Sequence, residues 1–210
     1  MKKNLLASIA ISAILFTACG GDAAKTNEHE GHDMTAPADT TQHGTASDEK
    51  EIKAITATFS GLDGKVSASI TSIVDGYLNT KNALVADNSA DASKAASAMN
   101  ASIKSLDKSL LNAEQKTVYD GIEKGLKSAS IAIEKQAADI AAQRAQFYGM
   151  SMGIYDLVKA FGGGRTLYHD HCPMARDNQG ALWISELKDV KNPYYGADML
   201  TCGTVEEVIN

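Results

Sequence analysis

Residues 139–164 read DIAAQRAQFYGMSMGIYDLVKAFGGG, and their spacing decides the fold. Ile140, Phe147, Met150, Ile154, Leu157, Val158 and Phe161 recur at steps of three, four and seven, which places them on one face of an α-helix. Asp139 supplies an N-cap, and Gly162-Gly163-Gly164 ends the helix. Three earlier stretches repeat the pattern. Val118, Ile122, Leu126, Ala129 and Ile133 follow Asn112 and Gln115, which have the spacing of a capping box. Ala92, Ala96, Met99, Ile103, Leu106 and Leu110 follow the turn Asp87-Asn88-Ser89, and Phe59, Leu62, Val66, Ile70, Ile73, Tyr77 and Leu84 precede it. Four helices of about 20 residues, each about 30 Å long, with short connections make antiparallel neighbours. The expected fold is mainly α: an up-and-down four-helix bundle over residues 51–162. Its stripes hold no Glu-x-x-His pair and no histidine lies between His43 and His169, so Met99, Met150 and Met152 read as core filling and the bundle as a scaffold.

Upstream, Met1-Lys2-Lys3 and the apolar run Leu5–Phe16 read as a signal peptide over residues 1–18. Phe16-Thr17-Ala18-Cys19 is a loose lipobox, so Cys19 is the expected lipidation site. Acyl chains there would hold the protein to a membrane without a spanning helix. The expected location is therefore the cell envelope, periplasm-facing or on an outer membrane, where conditions are oxidising. Residues 19–50 carry almost no large apolar side chain and read as a flexible linker. Within it lie His29, His32, Met34 and His43, either as part of a solvated spacer or as a weak copper-collecting arm of imidazole and thioether ligands.

Composition narrows the function classes. With 44% hydrophobic and 22% charged residues the chain is too polar for a multi-span membrane protein. A net charge of −6, more acidic still once Lys2 and Lys3 leave with the signal, argues against nucleic acid as a partner. There is no Cys-x-x-Cys pair, no Gly-x-Ser-x-Gly elbow and no phosphate-binding glycine loop, so no enzyme is expected.

Downstream of the glycines, composition changes abruptly. Residues 163–210 contain the only tryptophan, Trp183, with two cysteines, two methionines and two histidines, in the strings Tyr168-His169-Asp170-His171-Cys172-Pro173-Met174-Ala175, Asn192-Pro193-Tyr194-Tyr195-Gly196 and Met199-Leu200-Thr201-Cys202-Gly203. Turn residues between them predict a small Cys/Met/aromatic-rich module with two or three short strands. These strings, with Trp183 and Ser185 and with Gln143-Arg144, Phe147, Ser151 and Leu157-Val158 in the last helix, resemble the DUF3347 family from about Phe59 to the end. That family occurs in bacterial envelope lipoproteins and as a C-terminal module of periplasmic adaptor subunits of heavy-metal efflux systems. The resemblance implies that residues 51–210 form one domain, associated with copper or heavy-metal handling and with an efflux complex as partner.

The ligands can be weighed on their own spacing. In an extended Leu167–Met174, Cys172 and Met174 share one face and His169 and His171 the other. Met199 and Cys202, three apart, can converge in a turn. Cys172, Met174, Met199 and Cys202 would then form a soft set that selects Cu(I). If Pro173 kinks the strand, His169 or His171 could join the cysteines in a set suited to Zn(II). Against both stands a plain Cys172–Cys202 disulfide, closing a loop of about 30 residues and contributing on the order of 3 to 4 kcal/mol. The sequence thus leaves two functions open: an exported lipoprotein binding Cu(I) as an accessory to efflux, or a non-catalytic structural or interaction module closed by a disulfide.

Overall fold

The computed structural model describes residues 52–210. Cys19, His29, His32, Met34 and His43, with the signal, lipidation and linker readings, lie outside the described residues.

Four α-helices form where the apolar stripes predict them: α1 (Gly64–Val85), α2 (Ser89–Ser105), α3 (Ala113–Glu134) and α4 (Ile140–Phe161). Each starts at a side-chain cap that satisfies an orphan N–H of the first turn. Asp63 accepts from Lys65, Asn88 from Asp91, and Asp139 from Ala142. Asn112 and Gln115 close the capping box reciprocally, at 2.8 and 3.0 Å. Each helix packs on its sequence neighbour and α1 also meets α4, which gives the up-and-down bundle.

Two boundaries differ from the sequence reading. The apolar stripe beginning at Phe59 enters the helix only at Gly64, because residues 58 and 59 instead bond to the C-terminal end of α4, Thr58 N–H to Lys159 and Phe59 N–H to Ala160. Leu110, read as part of the second stripe, lies beyond α2 in a 3-10 turn capped by Asp107 and is exposed.

The tail adds a sheet, with strands β2 (Leu167–Cys172), β3 (Ala181–Ser185) and β4 (Thr204–Ile209). A fourth strand, β1 (Lys53–Ile55), comes from the segment expected to open the bundle and pairs parallel to β4 at the far end of the chain. The order is β1-β4-β2-β3, with β2 antiparallel to both neighbours.

Sheet and bundle share one apolar core. Tyr77 of α1 stacks on Phe147 of α4, Phe147 meets Tyr194, and Tyr194 meets Trp183 of β3, with ring centroids 5.2, 5.6 and 6.1 Å apart. The Tyr77 hydroxyl lies 2.9 Å from Ser151 Oγ and accepts the Ile184 N–H at 3.0 Å. One phenol therefore ties α1 and α4 to a strand edge that would otherwise be open. Gln143, fully buried, donates to the carbonyls of Ser89 and Ile133, fixing the start of α4 against α2 and α3.

Candidate metal centre

Strand register brings the two tail cysteines together. His171 of β2 faces Thr204 of β4, so Cys172 and the residues just ahead of β4 meet at the end of that ladder. Cys172 is fully buried, Cys202 partly so, and both are free thiols. Burial, then the adjoining Cys172 thiol, push the Cys202 thiol up to about 11. At neutral pH the Cys202 thiol is protonated, and a cation must displace that proton to bind it.

The approach of Cys202 depends on two glycines and a buried asparagine. Gly203, at φ +138°, passes so close to Trp183 and the His171 carbonyl that a Cβ would lie 2.8 and 3.0 Å from them. Asn192, wholly buried, donates to the Cys202 carbonyl at 2.8 Å and accepts from the N–H groups of Tyr194 and Tyr195. Its own N–H reaches the Leu200 carbonyl. Upstream, the Arg144 guanidinium of α4 holds the Pro193 and Leu84 carbonyls and the Asp87 carboxylate, which in turn accepts the Ala197 N–H. That N–H, then Arg144, keeps the Asp87 carboxyl below its usual range. Gly196, at φ +59°, is where this cluster leaves no room for a side chain. Arg144 and Asn192 thus anchor the segment that carries Met199 and Cys202.

Both methionines stand beside the dithiol in the chain trace. The Met199 carbonyl accepts the Cys202 N–H at 3.1 Å, and the Met174 carbonyl accepts the Tyr195 hydroxyl at 2.7 Å. Met174 itself is 46% exposed, so its thioether stands at the rim. Tyr195 is the group that sequence reading did not assign to the site: burial, then Cys172 and Cys202, hold its phenol above the ordinary range.

The histidines do not join. Strand alternation carries them to the face opposite Cys172, and β2 keeps an unbroken register with β3 from Tyr168 to Cys172. His169 is buried against Tyr155, ring centroids 4.6 Å apart, with Nδ1 3.3 Å from Glu207 but out of hydrogen-bond alignment. Burial lowers its pKa against the pull of Glu207 and Glu206. His171 Nδ1 lies 3.6 Å from Glu206. Among the described residues no three of His, Cys, Asp and Glu converge as ligands, so the cysteine–histidine set for Zn(II) is not assembled. The soft set reduces to Cys172 and Cys202, with Met174 and Met199 at hand.

Two further features escaped the sequence reading. Asp170, fully buried on the Cys172 face opposite Trp183, has no aligned hydrogen-bond partner for either carboxylate oxygen among the described residues, and Trp183 Nε1 has none either. Burial raises the Asp170 pKa to about 7, offset in part by Lys81 and Trp183. Lys81, wholly buried, donates to Ser185 at 3.2 Å and Glu186 at 2.8 Å. Just past Met174, Arg176, Asp177 and Asn178 all take positive φ, between 55° and 64°. Left-handed backbone costs on the order of 1 kcal/mol or more per non-glycine residue.

A helical bundle carrying a dithiol on an appended sheet defines the class. A family model described as a protein of unknown function, DUF3347, matches residues 73–166, a little under half of the chain. The match runs from α1 to the residue before β2, so it covers Gln143, Arg144, Phe147 and Ser151 but none of the tail strings. No curated protein and no solved structure matches the chain.

Proposed function

We propose that the protein is an exported, lipid-anchored component of the cell envelope that binds Cu(I) through Cys172 and Cys202 as an accessory to metal efflux or homeostasis. The observation that carries this reading is the meeting of two free thiols, 30 positions apart in sequence, each with a methionine within three residues. Thiolate and thioether ligands are soft and suit Cu(I), and they disfavour magnesium, calcium and manganese. The signal-like start and Cys19 support export and anchoring. No helix among the described residues is long and apolar enough to cross a membrane. The test is Cu(I) titration of anaerobically reduced protein against a chromophoric chelator. One tightly held equivalent is expected, lost in the Cys172→Ser and Cys202→Ser variants and weakened in Met199→Leu. Equal uptake by wild type and the double cysteine variant would refute the reading.

The same contact favours one rival, a module closed by a Cys172–Cys202 disulfide with a structural or docking role. Intact mass of the protein isolated without reductant separates the two: a loss of two hydrogen atoms, with no metal added to the mass, that persists in the presence of Cu(I) supports the rival.

A further inference from the structure

Beside the dithiol, on the other side of Tyr195, a cleft of about 520 Å³ opens between the start of α4 and the left-handed turn. Its polar wall is Arg144, Arg176, Asp177 and Gln179, and its apolar wall includes the Tyr194 and Tyr195 rings. The volume lies within the range of small-ligand sites.

The charges lining it are not spent on each other. Arg144 pairs with Asp87, at 2.6 Å, and no ion pair joins Arg176 or Asp177 to any described residue. The Arg176 guanidinium carbon lies over the Tyr148 ring, 3.7 Å from its centroid, and its nitrogens make only long bonds, 3.5 and 3.3 Å, to the Gly180 carbonyl and Gln179. Asp177 accepts no hydrogen bond among the described residues. Arg176 and Asp177, both exposed and both in left-handed backbone, put adjacent, opposite charges with no ion pair on one cavity. Strain of this kind persists only where surrounding structure enforces it, and it clusters at ligand sites.

A cleft with an available guanidinium, an available carboxylate and an aromatic wall is complementary to a zwitterion. A simple anion would leave Asp177 unanswered and repelled, and a simple cation would do the same to Arg176. We propose that this cleft binds a free amino acid or short peptide, its carboxylate on Arg176, its ammonium on Asp177 and its apolar part against Tyr194 and Tyr195. Guanidinium matches carboxylate in a two-bond fork, and such charge-assisted bonds are the strong ones. Neither the metal nor the thiols take part, so the proposal stands or falls separately from Cu(I) binding.

The experiment is an NMR titration of the reduced, metal-free protein with the tripeptide Gly-Leu-Gly. Saturable shifts are expected at the amides of Gln179, Tyr195 and Ala145. The C-terminally amidated and the N-acetylated tripeptides should each bind about tenfold more weakly. Inorganic phosphate should cause no saturable change. Arg176→Gln should erase the difference between free acid and amide, and Asp177→Asn that between free and acetylated amine. Equal binding of all three peptides, equal binding of phosphate, or no saturation at millimolar concentration would each overturn the proposal. The wild-type ligand series decides the matter even if either variant folds poorly.

Discussion

Gly203 shows how a single missing side chain sets the site. A methyl at that position meets Trp183 and the His171 carbonyl, in a backbone conformation that L-residues rarely adopt. Gly203→Ala should therefore destabilise by about 2 to 4 kcal/mol, strain and overpacking together, with a matching fall in the thermal midpoint. The string Leu200-Thr201-Cys202-Gly203 is plain in the sequence, but the need for glycine arises from a tryptophan 20 positions away, and no local pattern shows that. Asp170 is similar. Alternation correctly separates the cysteine face from the histidine face, yet whether Asp170 is buried depends on what packs over it. Its carboxyl, ordinarily near 3.8, is raised to about 7 in the fold, so in the window between those values the native state holds a proton that the unfolded chain releases. The corresponding stability is fully present below about pH 4 and is lost as pH rises through about 7, up to about 4 kcal/mol. Asp170→Asn removes the titration, so urea unfolding followed by Trp183 fluorescence should show a smaller decline from pH 4 to pH 8 in the variant than in wild type. Parallel pH profiles would mean that Asp170 is solvated.

Elements were legible where their signals are local. The Asn112–Gln115 box, the Asp139 cap and the apolar stripes all act within a turn or two, and each places a helix end where the structure has it. Asn112→Ala should cost about 1 kcal/mol in chemical unfolding. β1 was not legible, because three residues carry no period and their partner is the last strand of the chain. The same distance effect hid the clamp on the candidate site. The family resemblance marks Arg144 in the sequence but not its partners; in the fold its guanidinium joins the end of α1, the loop after it and the Pro193 turn. Arg144→Lys keeps the charge and loses the fork. It should leave the bundle's helical signal intact while increasing amide hydrogen exchange at residues 196–202, because those residues are held by Arg144, Asp87 and Asn192. Unchanged exchange there would show that Asn192 suffices alone.

At the scale of the molecule, the question is whether the sheet is an appendage or part of the bundle's own domain. The family match stops one residue before β2, which would suit a separable tail. The packing points the other way. The ring series from Tyr77 through Phe147 and Tyr194 to Trp183 crosses from helices to sheet without a gap, Ile184 N–H is satisfied only by a phenol of α1, and Lys81 of α1 is buried among groups of β3 and the residue after it. Removing the sheet would strip Tyr77 of its Ile184 N–H, the ring series of its Trp183 end, and Lys81 of its Ser185 and Glu186 partners. Small domains with one core unfold in a single step. Far-UV circular dichroism, which follows the four helices, and Trp183 fluorescence, which follows the sheet alone, should therefore give coincident denaturation curves. The coupling also fixes what a bound metal does. An ion that binds Cys172 and Cys202 more tightly in the folded arrangement than in the unfolded chain should, at a hundredfold excess over its dissociation constant, stabilise the whole chain by at most about 2.7 kcal/mol, with both probes shifting together. If fluorescence alone shifted while the helical transition stayed in place, sheet and bundle would be separate cooperative units despite their shared core.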